Sequence, residues 1–164
     1  MKKLLTALLV LLFATNVQAQ DWDFGGDSYE SKRNNFGLEL GVGGTGEFSV
    51  DLGLRWQMNL HEFLSWDVLT VKGQVAPKYF SESILAKMTT GIHLNSPQVM
   101  GISAYLLSRF GYGYWFDGET GGFTYEIGAG LNVTRNIYVG YTFDNQKIDE
   151  DKIKFNGFRL GFLF

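Results

Sequence analysis

Seven charged residues alternate with apolar neighbours along this chain: Glu39, Asp51, Arg55, Lys87, Arg109, Glu126 and Arg159. Carboxylates and cations in such numbers can do two things. Brought together out of water they must neutralise one another, because an isolated buried charge is expensive. Lining a pore, they select ions. Other chemistry finds little support. The chain has no cysteine and two histidines, His61 and His93. It contains neither His-x-x-x-His nor Asp-x-Asp-x-Asp-Gly, so no metal spacing is present and no cofactor is expected. His93-Leu94-Asn95-Ser96 brings a serine close to a histidine in sequence. A nucleophilic triad, however, is defined by its geometry in space. Gly41-x-Gly43-Gly44 and Gly128-x-Gly130 lie inside alternating segments rather than strand-to-helix turns, so they are not nucleotide loops.

The elements that carry these charges read as strands. Apolar residues recur at every second position in eight segments, the signature of a strand with one apolar face. The first is expected near 36–43. The second, near 47–58, sets Phe48, Val50, Leu52, Leu54 and Trp56 opposite Ser49, Asp51, Gly53, Arg55 and Gln57. The third, near 64–75, starts with Leu64, Trp66 and Val68 on one face and continues with Leu69, Val71 and Val75 on the other. A bulge at Val68-Leu69 would reconcile the two halves. The others are expected near 83–94, 99–114, 122–133, 137–144 and from 153 to Phe164. The turns or loops between them fall at 43–46, 59–62, 76–82, 95–98, 115–121, 134–136 and 145–152. The fold class is all-β: an eight-stranded antiparallel up-and-down transmembrane β-barrel. Each segment is about the length that crosses a bilayer at a tilt. A soluble sandwich or lipocalin-like barrel would turn its apolar faces inward and show polar residues to water. Here the polar face carries both signs of charge, which suits a narrow, salt-bridged lumen.

The two ends of the chain agree. Met1-Lys2-Lys3 is basic, Leu4 to Ala14 is apolar, and Val17-Gln18-Ala19 resembles a small-x-small cleavage site. The apolar run is too short to span a bilayer as a helix. Residues 1–19 are therefore expected to be a cleaved signal peptide, 20–35 a periplasmic lead-in whose last residues join the first strand, and 36–164 the barrel. Cleavage removes Lys2 and Lys3 and no acid, leaving 12 basic against 17 acidic residues, or −5. That balance, without a basic run, argues against nucleic acid as a partner.

Phe158-Arg159-Leu160-Gly161-Phe162-Leu163-Phe164 alternates and ends in an aromatic residue. Together with the leader and the strand count, it resembles the closing strand of the small OmpA/OmpX-type outer-membrane barrels. The resemblance covers about residues 36–164. It implies the outer membrane of a Gram-negative bacterium, reached by export. It implies outer-membrane lipid and lipopolysaccharide as surroundings. Periplasmic chaperones and the barrel-assembly machinery are implied as partners in biogenesis, the latter reading Phe158, Leu160, Phe162 and Phe164, and the finished protein as a monomer. Both termini then face the periplasm. Trp56 and Trp66 are expected as a cross-strand pair at the inner interface, and Tyr79, Tyr114 and Trp115 in the outer aromatic girdle.

An eight-stranded barrel is just wide enough for side chains to fill it. Glu39 and Arg159 are placed to pair across the seam between the first and last strands, with Asp51, Lys87, Arg109 and Glu126 lying higher. The function expected is a structural, envelope or surface-interaction role with a largely closed lumen. The alternative is a small porin-like channel for ions or small solutes. A third reading is a lipid A-modifying enzyme, since some barrels of this architecture carry a Ser-His-acid set on the outer-leaflet side. His61 and His93 fall at the opposite end, so no catalytic residue is assigned.

Overall fold

A computed structural model describes residues 34–44, 48–75, 84–116, 119–148 and 151–164. The leader, most of the lead-in and Tyr79 lie outside the described residues. Eight strands follow in order: β1 (Asn34–Gly43), β2 (Ser49–His61), β3 (Leu64–Val75), β4 (Ile84–Asn95), β5 (Ser103–Trp115), β6 (Thr120–Asn132), β7 (Ile137–Ile148) and β8 (Asp151–Leu163). Each pairs antiparallel with its sequence neighbour, and β1 pairs with β8, so the sheet closes. Main-chain bonds between Phe36 and Phe164 finish the seam, Phe164 N donating at 2.8 Å and Phe36 N at 3.2 Å. Closure leaves every strand with two partners, the condition for spanning hydrocarbon without orphaned peptide groups.

The alternation sorts side chains as the period of two requires. Met88, Phe110, Ile127 and Phe158 stand exposed on the outside, while every buried charged residue points inward. The bulge expected at Val68-Leu69 is present. Register shifts fall between Asp67 and Thr70 against β4 and at Trp56/Gln57 against β2. The extra residue lets Trp66, Leu69 and Val71 share the outer surface while Asp67, Thr70 and Lys72 share the lumen.

Three stretches differ from the sequence expectation. The segment 145–152 is not a loop: β7 runs to Ile148 and β8 begins at Asp151, with Asn145 opposite Lys154 and Lys147 opposite Lys152. Beyond an apolar band a ladder needs no apolar residues, so polar alternation there looks like loop. The fifth strand starts at Ser103 rather than 99. Met100 and Gly101 adopt positive φ values of 54° and 82° within a tight turn bridged by Val99 and Ile102. The apolar residues of that turn mimic a strand, yet Met100 is 98% exposed. The second strand also reaches His61, shortening the turn that follows it.

Candidate functional site: a charge-balanced plug

The lumen is filled by ions. Among the described residues five buried acids (Glu39, Asp51, Asp67, Glu126, Asp144) face five buried bases (Arg55, Lys72, Lys87, Arg109, Arg159), so their formal charges sum to zero. Every strand contributes at least one. Alternation places them all on the inner face of the closed sheet, where they converge on one axis, and each acid lies in ionic contact with at least one base.

Glu39 is the hub. Arg109 donates to both of its oxygens, Nη2 to Oε1 at 2.6 Å and Nη1 to Oε2 at 2.9 Å. Arg159 Nη1 donates to Oε2 at 2.7 Å, and the Tyr138 hydroxyl donates to Oε1. Lys72 Nζ lies 3.4 Å away and Arg55 Nη1 3.9 Å away. Asp67 forms a second hub. It accepts from Arg55 Nε at 2.7 Å and Nη2 at 2.5 Å, and from Arg109 Nε at 2.5 Å. Glu126 accepts from Lys72 and from Arg109 Nη1 at 3.3 Å, with Arg159 Nη2 at 3.1 Å from its other oxygen. Asp51 accepts from Arg159 Nη2 at 3.1 Å. A separate group joins Lys87 to Asp144 at 2.6 Å and to Gln74 at 2.9 Å, with Thr124 donating to Asp144 at 3.1 Å.

Charge-assisted, forked contacts of this kind are the strong class of hydrogen bond, and guanidinium suits them because its planar donors match carboxylate geometry. In a low-dielectric lumen their value lies in mutual compensation: removing one member strands another.

An aromatic and histidine layer lies beside the hubs. His93 stacks on Tyr105 with centroids 4.6 Å apart, and Tyr105 meets Tyr138 edge-on at 5.5 Å. Arg55 Nη2 lies 2.7 Å from His93 Nδ1. A guanidinium can only donate, so Nδ1 accepts and the single ring proton sits on Nε2. Tyr138 fits only because Gly161 faces it: a Cβ there would fall inside the tyrosine ring. Gly41 gives the Asp51 carboxylate the same room.

Glu39 and Arg159 thus meet across the seam as their positions suggested. Asp51, Arg109 and Glu126 all reach partners in the Glu39 cluster, because long side chains converge on the axis from staggered strands. Lys87 alone of the seven sits in the separate group. Arg55 joins both hubs. Three charged members were not singled out from sequence. Asp67 and Lys72 flank the bulge, which hides their parity. Asp144 was legible, since it alternates with the outward Tyr141 and Phe143.

The aromatic expectations need two corrections. Trp56 and Trp66 are not directly paired: the bulge offsets them, so Trp56 faces Leu69 and Trp66 faces Met58. Trp56 stacks on Phe36 instead, and Trp66 Nε1 donates to Thr90 Oγ1 at 3.0 Å. Trp115 belongs to the inward-facing row of β5, opposite the buried Leu85, and not to an outer girdle. Tyr114 does face outward and meets Phe116 edge-on at 5.2 Å. Phe158, Phe162 and Phe164 are exposed on the outer surface and Leu160 is half-buried beside them.

A closed up-and-down barrel with an apolar outer belt and an ion-filled lumen defines a transmembrane β-barrel. The family model for the outer membrane protein beta-barrel domain matches residues 7–164, and the chain belongs to that family. Among solved structures, the outer membrane enzyme PagL superposes with a TM-score of 0.61 at 15% identity, over 78% of this chain and 98% of that one. The N-terminal β-barrel domain of Pseudomonas aeruginosa OprF gives 0.52 at 17% identity, over 81% and 98%. At these identities the likeness is one of fold. No curated protein matches the chain in sequence.

Proposed function

We propose that this barrel is a structural, envelope or surface-interacting element of the outer membrane, with a lumen held shut by its ion cluster. The supporting observation is the plug itself, five acids against five bases, each acid in ionic contact with at least one base. A conducting pore of this width would need a polar path free of such a knot. The chain reaches the outer membrane of a Gram-negative bacterium through its leader, meets lipid and lipopolysaccharide on its apolar belt, and works as a monomer. Chaperones and the assembly machinery act on it before closure. Planar-bilayer recording tests the reading: no stable conductance is expected at neutral pH and moderate salt, and a large steady conductance refutes it.

A narrow channel is the second reading, supported by the shared partners within the knot. Arg109 contacts Glu39, Asp67 and Glu126, so carboxylates can exchange partners without leaving a charge alone. Brief, small openings would be its signature. Lipid A modification has less support. His93 is buried in the lumen with Nδ1 occupied by Arg55, rather than on the outer surface beside a serine. Lipid A mass spectrometry of expressing cells, with His93→Ala as the control, tests it.

A further inference from the structure

The turn between β4 and β5 is built unlike the others at its end of the barrel. Val99 and Ile102 exchange both main-chain bonds, at 2.8 and 3.1 Å, around Met100 and Gly101, whose φ values are 54° and 82°. Two positive φ values in succession suit Asn-Gly, because most residues with a side chain are disfavoured in the left-handed region and Asn tolerates it. Met stands there instead and is 98% exposed, beside Val99 at 69% and an exposed Ile102. The chain accepts backbone strain to hold an apolar side chain at the tip, and it holds that tip firmly. Ser96 N donates to Ala104 O at 2.8 Å, Ala104 N donates to Ser96 Oγ at 2.9 Å, and Gln98 Nε2 donates to Gly101 O at 2.7 Å.

No residue between His93 and Arg109 is charged. The two other turns at this end each expose a charge, Glu62 between β2 and β3 and Arg135 between β6 and β7. The tip also continues the lipid-facing surface. Ile102, Leu106 and Phe110 lead up the outer face of β5, and Leu94 stands exposed on β4. The neighbouring β2–β3 turn adds the exposed Leu60 and Phe63, and the Phe63 carbonyl accepts from Asn95 N at 2.9 Å.

We infer that the Val99–Met100 tip enters the boundary between headgroups and acyl chains of the phospholipid leaflet at this end, so that the barrel rides deeper on its β4–β5 side than at β6–β7. Withdrawing exposed apolar surface from water is favourable. A tip without charge leaves water at little cost, and polar groups bonded within the turn have less hydration to lose. Continuity of the row with the apolar belt favours lipid over a protein groove as the occupant. The inference rests on the barrel spanning a bilayer and is independent of what the lumen conducts.

The chain has no cysteine, so Met100→Cys, Phe110→Cys and Asn136→Cys each give a single site for a nitroxide label. The full barrel is refolded into vesicles of phosphatidylcholine and phosphatidylglycerol. Power saturation then compares collisions with oxygen, which concentrates in lipid, and with a water-soluble nickel chelate. Oxygen should dominate at Met100→Cys and Phe110→Cys, and the chelate at Asn136→Cys. Chelate dominance at Met100→Cys beside oxygen dominance at Phe110→Cys overturns the inference and leaves the transmembrane barrel standing; chelate dominance at both overturns the two together. Oxygen dominance at Asn136→Cys overturns the unequal depth. A second measurement uses no label. Met100→Asn suits a φ of 54° better than Met, so in water it should be neutral or stabilising. With the tip in lipid it should instead lower the urea midpoint of unfolding from the vesicles, while Met100→Leu keeps that midpoint. A midpoint unchanged or raised by Met100→Asn, or lowered equally by Met100→Leu, overturns the inference.

Discussion

Replacing Glu39 by Gln keeps the shape of the hub and removes its charge. The wild-type residue is 0% exposed and accepts from Arg109 twice, from Arg159 and from Tyr138, with Lys72 and Arg55 close by. The variant leaves four acids against five bases in the lumen. Breaking a buried ion pair by removing one partner costs about 3–5 kcal/mol. Urea unfolding from lipid vesicles, followed by tryptophan fluorescence, reads that loss. With an m-value of about 1–3 kcal/mol/M the midpoint should fall by about 1–5 M. A charge-balanced second change, Arg159→Gln, should recover at least about 1 kcal/mol relative to the sum of the single losses, because the two residues share one network. If Glu39→Gln costs less than about 1 kcal/mol, these contacts behave as screened surface pairs, and the lumen is wet rather than plugged.

Four further outcomes follow from the same geometry. Gly161→Ala places a methyl inside the Tyr138 ring, so the ring must move off Glu39; a loss of about 1–3 kcal/mol and an altered near-ultraviolet circular dichroism spectrum are expected. Lys87→Met leaves the buried Asp144 without its cation and should destabilise the barrel by about 3–5 kcal/mol in the same urea assay, with most of the loss restored by adding Asp144→Asn. Trp66→Phe removes the bond to Thr90 and should cost about 0.5–1.5 kcal/mol. Phe164→Ala keeps the two main-chain bonds to Phe36, so it should refold in vitro with near-wild-type stability while lowering the amount of protein in the outer membrane of cells, measured by fractionation; deletion of Phe164 should be worse in both assays, because it also removes those bonds.

The barrel was legible because its physics is periodic. A lipid-facing row must be apolar at every second residue, and Phe48 to Trp56 or Phe158 to Phe164 announce that without help from tertiary structure. The lumen was partly legible by the same rule applied to the opposite face, which placed Glu39, Arg55 and Arg159 inside. Which charge meets which was not, apart from the seam pair. Partner choice depends on strand stagger and on the reach of long side chains toward the axis, and neither is written in a local pattern. Asp67 and Lys72 were hidden because one extra residue at the bulge inverts parity on either side of it. Trp115 was misread because aromatic identity at a strand end says nothing about the face it occupies.

The contribution of at least one ion from each strand bears on how the chain finds its pairing. An apolar row with a period of two cannot distinguish the correct register from a slip of two residues, since either alignment keeps its greasy side outward. Such a slip moves a side chain by about 6.6 Å along the strand. At the seam it would carry Arg159 away from Glu39 and leave both without their matched partners. The plug therefore proofreads the ladder. It penalises the even-numbered errors that alternation tolerates, and at the seam it rewards the right alignment only when β8 finally meets β1.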